Sequence, residues 1–313
     1  MGFFSRTRKK DGLLVVALAA DGIQAVSVRI SGQDRPGVMT KFAPAQPAER
    51  RAALERLGRE LGASGYRCAT LLAPGEYQLL SVEAPNVPQD ERKTAVRWRL
   101  KDLLDMPIDE AAIDILDIPV DRAAAAQTQS LFAIAARNTL ISERQKLFQR
   151  ARVPLAVIDI PEMAQRNVSA LLEREGRGQA MLSFDDLGGL LTISYRGELY
   201  LARRLDITLG QLRDASDERR TATHDRVTLE LQRSLDHFER QFHFITTARL
   251  TLAPCGAPGL FECLAANLYI PVEQLDLAAM FDLADLPEAH DPMQQQRWFM
   301  ALGAALRVEE VSP

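Results

Sequence analysis

Cysteine is scarce in this chain. Cys68, Cys255 and Cys263 are the only three among 313 residues, and their spacing matches neither a disulfide framework nor a zinc site. A reducing, cytoplasmic setting follows. Histidine is almost as rare, with four residues. His237 and His243 share a predicted helix but sit on different faces of it, which argues against a metal pair. No apolar run reaches the roughly 20 residues of a membrane-spanning helix. The longest, residues 13–20, is cut short by Asp21. The opening MGFFSRTRKK lacks an apolar core of signal-peptide length and a cleavage site, so export is not expected. A large excess of one sign of charge is missing as well: the net charge of -4 disfavours a nucleic-acid partner. The phosphate loop GxxxxGKS/T, the dinucleotide fingerprint GxGxxG, the nucleophile elbow GxSxG and the zinc motif HExxH are all absent.

What is present is an alternation of short apolar strands and amphipathic helices, which predicts an α/β fold. Apolar residues make up 47% and charged residues 26% of the chain, as in an ordinary globular protein. The length suits two halves of roughly 150 residues. Residues 13–20 and 23–30 predict a hairpin around Asp21-Gly22. A third strand follows at 37–42, a helix at 48–61 and a buried strand at 68–72. Residues 77–84 predict a strand ended by Pro85. Pro88-Gln89-Asp90-Glu91 then opens a helix, with acidic groups where the dipole favours them. Val96, Leu100, Leu103 and Leu104 form its apolar stripe and Pro107 stops it. Strands at 114–118 and 130–136 are joined by an Ala/Gln turn at 123–129. A helix at 140–150, a strand at 155–160 and a helix from Pro161 to Leu172 come next. A second hairpin is expected over residues 180–209. A long helix at 227–245, a strand at 249–252 and helices at 260–268 and 298–308 follow it.

Arg92, Lys93, Arg97, Arg99 and Lys101 surround Trp98, but Glu91, Asp102 and Asp105 interleave them. A solvated helix face explains this better than nucleic-acid contact. Phe3, Phe4, Arg6, Arg8, Lys9 and Lys10 suggest a flexible basic tail over residues 1–10 that could rest weakly on an anionic membrane surface.

The order of motifs resembles one family, the PilM group of type IV pilus assembly proteins. Within it, the chain looks most like the MshI proteins of mannose-sensitive haemagglutinin (agglutinin) pilus biogenesis. The similarity runs through MGFFSR, the first hairpin, EAPNVPQDERKTAVRWRLKDLLDMP, VIDIPEMAQRN, TLELQRSLDHFERQF, APCGAPGLFECLAANLYIPVEQLD and MALGAALR. The resemblance implies an actin-like ATPase fold of the FtsA/PilM type. Its first actin-type domain would span 11–155, with a small α+β subdomain inserted at about 78–137, and its second would span 156–313.

It also implies a nucleotide site, and here that site has changed. Aligned with the family's first hairpin, the aspartate that organises Mg²⁺ is Ala17, a phosphate-approaching glycine is Ala19, and a lysine is Gln24. The second hairpin keeps an acidic residue as Asp185 or Asp186, with Gly188 and Gly189 behind it, and an arginine as Arg203 or Arg204. The nucleoside turn, residues 253–257, keeps Gly256. Hydrolysis is therefore not expected and no cofactor is required; ATP and Mg²⁺ held without turnover is the alternative.

The implied partner is the cytoplasmic tail of a single-pass, PilN-like inner-membrane protein, lying in a groove beside the inserted subdomain. Tyr77, Val82, Val96, Leu100 and Leu103 are its candidate contacts, although the same stripe would also suit a core face. The implied location is cytoplasmic, peripheral to the inner membrane, and compatible with a homodimer. The competing readings are a nucleotide-gated switch of the same assembly, a sugar-kinase-like enzyme, and the cytoplasmic domain of a GspL-like type II secretion protein. Proteins of that last kind continue into a membrane helix.

Overall fold

The computed structural model describes residues 12–29, 35–120, 129–283 and 291–308. The tail expected over 1–10 and nearly all of the turn expected over 123–129 lie outside the described residues.

The chain opens with the hairpin β1 (Leu13–Ala19) and β2 (Gly22–Arg29), and β3 (Gly37–Pro44) pairs with β2. Helix α1 (Arg50–Leu61) buries Ala53, Leu54 and Leu57 and stops at Gly62, whose φ of 62° supplies a left-handed cap. Strand β4 (Arg67–Leu71) follows. Next come β5 (Tyr77–Glu83), α2 (Gln89–Leu100), β6 (Ala111–Asp117), β7 (Ser130–Arg137) and α3 (Asn138–Arg150). After β8 (Leu155–Asp159), α4 (Pro161–Leu172) starts on a proline, whose missing N–H costs nothing in a first turn. Strands β9 (Gly178–Asp185), β10 (Gly188–Tyr195) and β11 (Glu198–Leu205) lead to α5 (Leu209–Leu212) and α6 (Asp217–Gln241). The chain continues through β12 (Thr247–Leu252), α7 (Leu260–Asn267), β13 (Val272–Gln274), α8 (Leu277–Met280) and α9 (Pro292–Ala305).

Two compact units result. One comprises the described residues up to Leu71 and those from Ala151 onward; the other is Leu72–Arg150, which contains the segment 78–137.

The larger unit holds two five-stranded sheets, ordered β3-β2-β1-β4-β8 and β11-β10-β9-β12-β13. In each, an antiparallel three-strand meander comes first and two parallel strands are added beside its first strand. The same plan twice marks a duplicated α/β architecture. In the smaller unit, α2 packs Val96 and Leu100 on a three-stranded sheet ordered β5-β7-β6.

Several boundaries differ from the sequence reading. The expected second hairpin is a three-strand meander, because Arg196 (φ 54°) and Gly197 (φ 74°) make an extra turn. Arginine rarely adopts that conformation, so the turn carries no usual signature. Helix α6 begins at Asp217 rather than Val227, capped by the Ser216 side chain accepting from the Arg219 N–H. Its first ten residues are too polar to show a helical stripe. Phe242 and Ile245 lie past its end. Helix α2 ends at Leu100, which leaves Leu103 and Leu104 in the following turn. Helix α9 begins at Pro292, six residues before the expected Trp298.

A single apolar core joins the two five-stranded sheets. It includes Val15 and Val26 of the first sheet, Met181 of the second, Ala164 and Val168 of α4, and Trp298, Phe299 and Leu302 of α9. The crossing of α4 and α9 is close: a Cβ at Gly303 would lie 2.2 Å from the Ala164 carbonyl oxygen. Asn167 donates to the Gly303 carbonyl at 2.9 Å. On the other side of α4, the buried Gln165 amide donates to the carbonyls of Met181 (2.9 Å) and Leu190 (3.1 Å) and to the Thr192 hydroxyl (3.0 Å). It accepts from the Ser183 hydroxyl at 2.5 Å.

Because backbone meets the new methyl at the crossing, Gly303→Ala should lower stability by about 1–3 kcal/mol. Gly210→Ala, whose added Cβ meets nothing nearer than 3.8 Å, should change it by no more than about 0.5 kcal/mol. Urea unfolding followed by circular dichroism checks the pair.

Candidate functional site

The first hairpin presents methyl groups at positions 17 and 19, where the sequence reading expects an altered nucleotide site. Ala17 lies opposite Gln24 and Ala19 opposite Gly22, and Ala17 packs against the shared core. The groups around the turn are already engaged. Arg50 of α1 donates to the Ala19 carbonyl at 2.9 Å. Arg297 of α9 donates to the Asp21 carboxylate at 2.8 Å, and its guanidinium carbon lies 3.8 Å from the Phe42 ring centroid.

In the second meander Asp185 closes its own turn, accepting from the Leu187 N–H at 2.7 Å. Burial raises its pKa, against the pull of the Leu187 and Gly188 N–H groups and Arg204. Asp186 is exposed. Gly188 and Gly189 have packing reasons of their own. A Cβ at Gly188 would lie 2.7 Å from the Leu205 carbonyl oxygen, and one at Gly189 would lie 2.6 Å from the Phe184 ring. Arg203 pairs with Glu230 at 2.6 Å. Arg204 donates through Nε (3.1 Å) and Nη2 (2.9 Å) to Glu162, which is 2% exposed.

Gly256 takes a φ of 56°, a conformation that favours glycine. Arg213 donates from Nε at 3.0 Å to the neighbouring Cys255 carbonyl, and from Nη2 as well. A cavity of about 360 Å³ opens beside this turn, bordered by residues 252–257, by 274–276 and by Gln295. The buried Gln295 amide accepts from the Leu277 N–H at 2.9 Å and donates to Asp276 at 3.0 Å.

One helix therefore reaches all three expected segments. Helix α9 sends Arg297 to the first turn, Gln296 to the Phe184 carbonyl at 3.3 Å, and Met293 against Gly256. Sequence reasoning missed this helix face and the Glu162–Arg204 pair. Only the Asp291-Pro292 start signal, with Asp291 accepting from the Met293 N–H at 2.9 Å, pointed to the earlier beginning of α9.

The expected partner contacts separate into two groups. Val96 and Leu100 are fully buried, packed on Ala111, Leu131, Ala133 and Ala135; they belong to the core of the smaller unit and are not surface contacts. Leu103 is 52% exposed. Val82 is half-buried, and Tyr77 borders a second cavity of about 330 Å³. The basic residues of α2 serve their own unit: Arg92 pairs with Asp117 (2.7 Å), Lys93 with Asp114 (3.0 Å), and Arg99 donates to the Glu83 carbonyl (2.9 Å).

The raised pKa of Asp185 sets a pH dependence. A carboxyl favoured in its neutral form contributes stability that is complete below its ordinary value near 3.9 and is lost as pH rises through the folded value. Asp185→Asn keeps the turn's acceptor and removes the buried charge. Its stability relative to the parent should increase as pH rises from about 4 to 7, read as Tm against pH.

No family model matches the sequence, and no curated protein matches it. Solved structures do. A chain of the PilM–PilN type IV pilus biogenesis complex is similar over 95% of this chain and 98% of its own, with a TM-score of 0.71 and 20% identity. A Bacteroides thetaiotaomicron protein with an actin-like ATPase fold and unknown function is similar over 93% and 99%, with a TM-score of 0.50 and 10% identity. The cytoplasmic domain of EpsL, an inner-membrane component of the Vibrio cholerae type II secretion system, covers 78% and 82% with a TM-score of 0.46 and 14% identity. The chain has the actin-like ATPase fold.

Proposed function

We propose that this chain is a PilM-like scaffold of type IV pilus assembly, most like MshI, that works on the cytoplasmic face of the inner membrane. It binds the cytoplasmic tail of a PilN-like partner and does not hydrolyse nucleotide. The observation that carries the reading is the state of the two hairpins. Alanine at 17 and 19 can neither organise Mg²⁺ nor admit phosphate closely, and the nearby cations are held by Asp21, Glu162 and Glu230. A phosphate would have to displace those partners, at a cost set by leaving carboxylates unpaired. The end-to-end likeness to a chain from a PilM–PilN complex supports the choice of partner. Among the described residues no helix is long and apolar enough to cross a membrane, which suits attachment through a partner.

A nucleotide-gated switch is the second reading. It is favoured by the retained Asp185 and by the cavity beside Gly256.

Calorimetric titration of Mg-ATP and of synthetic partner tails separates the two. The scaffold reading expects no ATP heat, no thermal stabilisation at millimolar ATP, and saturable binding of one tail. Micromolar ATP binding that Asp185→Ala/Asp186→Ala abolishes would favour the switch. A protein indifferent to every tail of the inner-membrane pilus proteins encoded with it would sink the scaffold.

A further inference from the structure

Open α/β sheets leave a crevice outside the carboxyl ends of their parallel strands, and ligands bind there. In this molecule a helix of the chain itself reaches those ends in both five-stranded sheets. Strands β1, β4 and β8 run parallel in the first sheet, and β9, β12 and β13 in the second. Helix α9 packs along β1, β2 and β4, whereas α4 packs along β9, β10 and β11. Helix α9 is therefore seated on the first sheet, and what its opening turns hold in the second crosses between the two.

Those crossing contacts fall on the ends of three strands. Gln296 donates to the carbonyl of Phe184, the penultimate residue of β9, at 3.3 Å. The buried Gln295 amide accepts from Leu277 and donates to Asp276, both just past β13. Met293 lies against Gly256, just past β12, where an added Cβ would come within 2.7 Å of the Met293 Cγ. Arg297 points back to the first sheet. It bonds Asp21, just past β1, at 2.8 Å and lays its guanidinium on the Phe42 ring. Successive side chains leave a helix roughly 100° apart. Gln295, Gln296 and Arg297 thus fan out to three segments that no single side chain could join. Farther along α9 the two sheets meet again at the Gly303 crossing with α4.

We propose that the opening turns of α9 are a built-in clasp. They take the bridging position that a ligand takes in other open α/β sheets and hold the carboxyl ends of the two sheets together, with the α4–α9 crossing as the pivot. Closure is then a property of the chain itself and needs no nucleotide. The clasp is also releasable, because the Arg297–Asp21 pair is partly open to solvent and contributes little by itself. This inference concerns the chain's own closure and is independent of the partner-binding reading.

Spin labels at Arg56→Cys and His237→Cys test it. Both positions are exposed, on α1 and α6, which pack on the first and second sheet respectively. Cys263→Ser removes the half-buried native thiol. Pulsed electron–electron resonance on the full chain should give one narrow distance, identical with and without millimolar Mg-ATP. Gln296→Ala/Arg297→Ala should add a longer distance and raise the open population about tenfold. Arg297→Lys, which keeps the charge but loses the flat contact with Phe42, should fall between. Arg233→Ala removes an exposed ion pair within α6 and should leave the distance as it is. Thermal unfolding confirms that each variant folds; should the double variant not fold, Gln296→Ala and Arg297→Ala singly carry the test. A distribution unchanged by these substitutions, or changed equally by Arg233→Ala, overturns the proposal, because packing alone then sets the closure. A parent distribution that is already broad overturns it as well, and narrowing on Mg-ATP would assign the closure to a ligand.

Discussion

The close crossing of α4 and α9 is the constraint on which the larger unit depends. With Gly303 lying against the Ala164 carbonyl, the two helices approach more nearly than ordinary side chains allow, and both can bury their apolar faces in one core between two sheets. The position of α9 then follows, and with it the engagement of both hairpin turns. A bulkier crossing would draw Arg297 and Gln296 away from Asp21 and Phe184. The engagement of these two turns is thus set partly by a glycine far from them in sequence.

Local signals carried much of the fold. The first hairpin turns at Ala20-Asp21, one residue before the centre of the Asp21-Gly22 pair that signalled it, Pro161 marks the start of α4, and the uninterrupted apolar run of β1 reads as a buried strand. The errors fell where local chemistry says little. The first ten residues of α6 are polar and lack a helical stripe, and Arg196 adopts a left-handed conformation that its identity does not announce. A stripe such as Val96–Leu100 looks the same whether it faces core or partner, because periodicity reports a buried face without naming what buries it.

The candidate site was legible only in its individual side chains. Ala17 and Ala19 can be seen to lack a carboxylate and a free approach from sequence alone. That Arg297 engages the first turn could not be seen, since the contact joins residues 276 positions apart. The Glu162–Arg204 pair was hidden in the same way: each residue alone resembles a surface charge, and only their pairing explains a glutamate that is 2% exposed.

The Gln165 amide has a mechanical consequence. Its bonds run from α4 to both β9 and β10, so sliding the helix over these strands would strand several polar groups in a dry interior at once. Helix α4 and the second sheet therefore behave as a single stiff plate. The α4–α9 contact, built on a glycine and an alanine, is tied among the described residues by a single side-chain hydrogen bond, from Asn167 to the Gly303 carbonyl. Sliding α9 over α4 would break one such bond, against four for sliding α4 over the sheet.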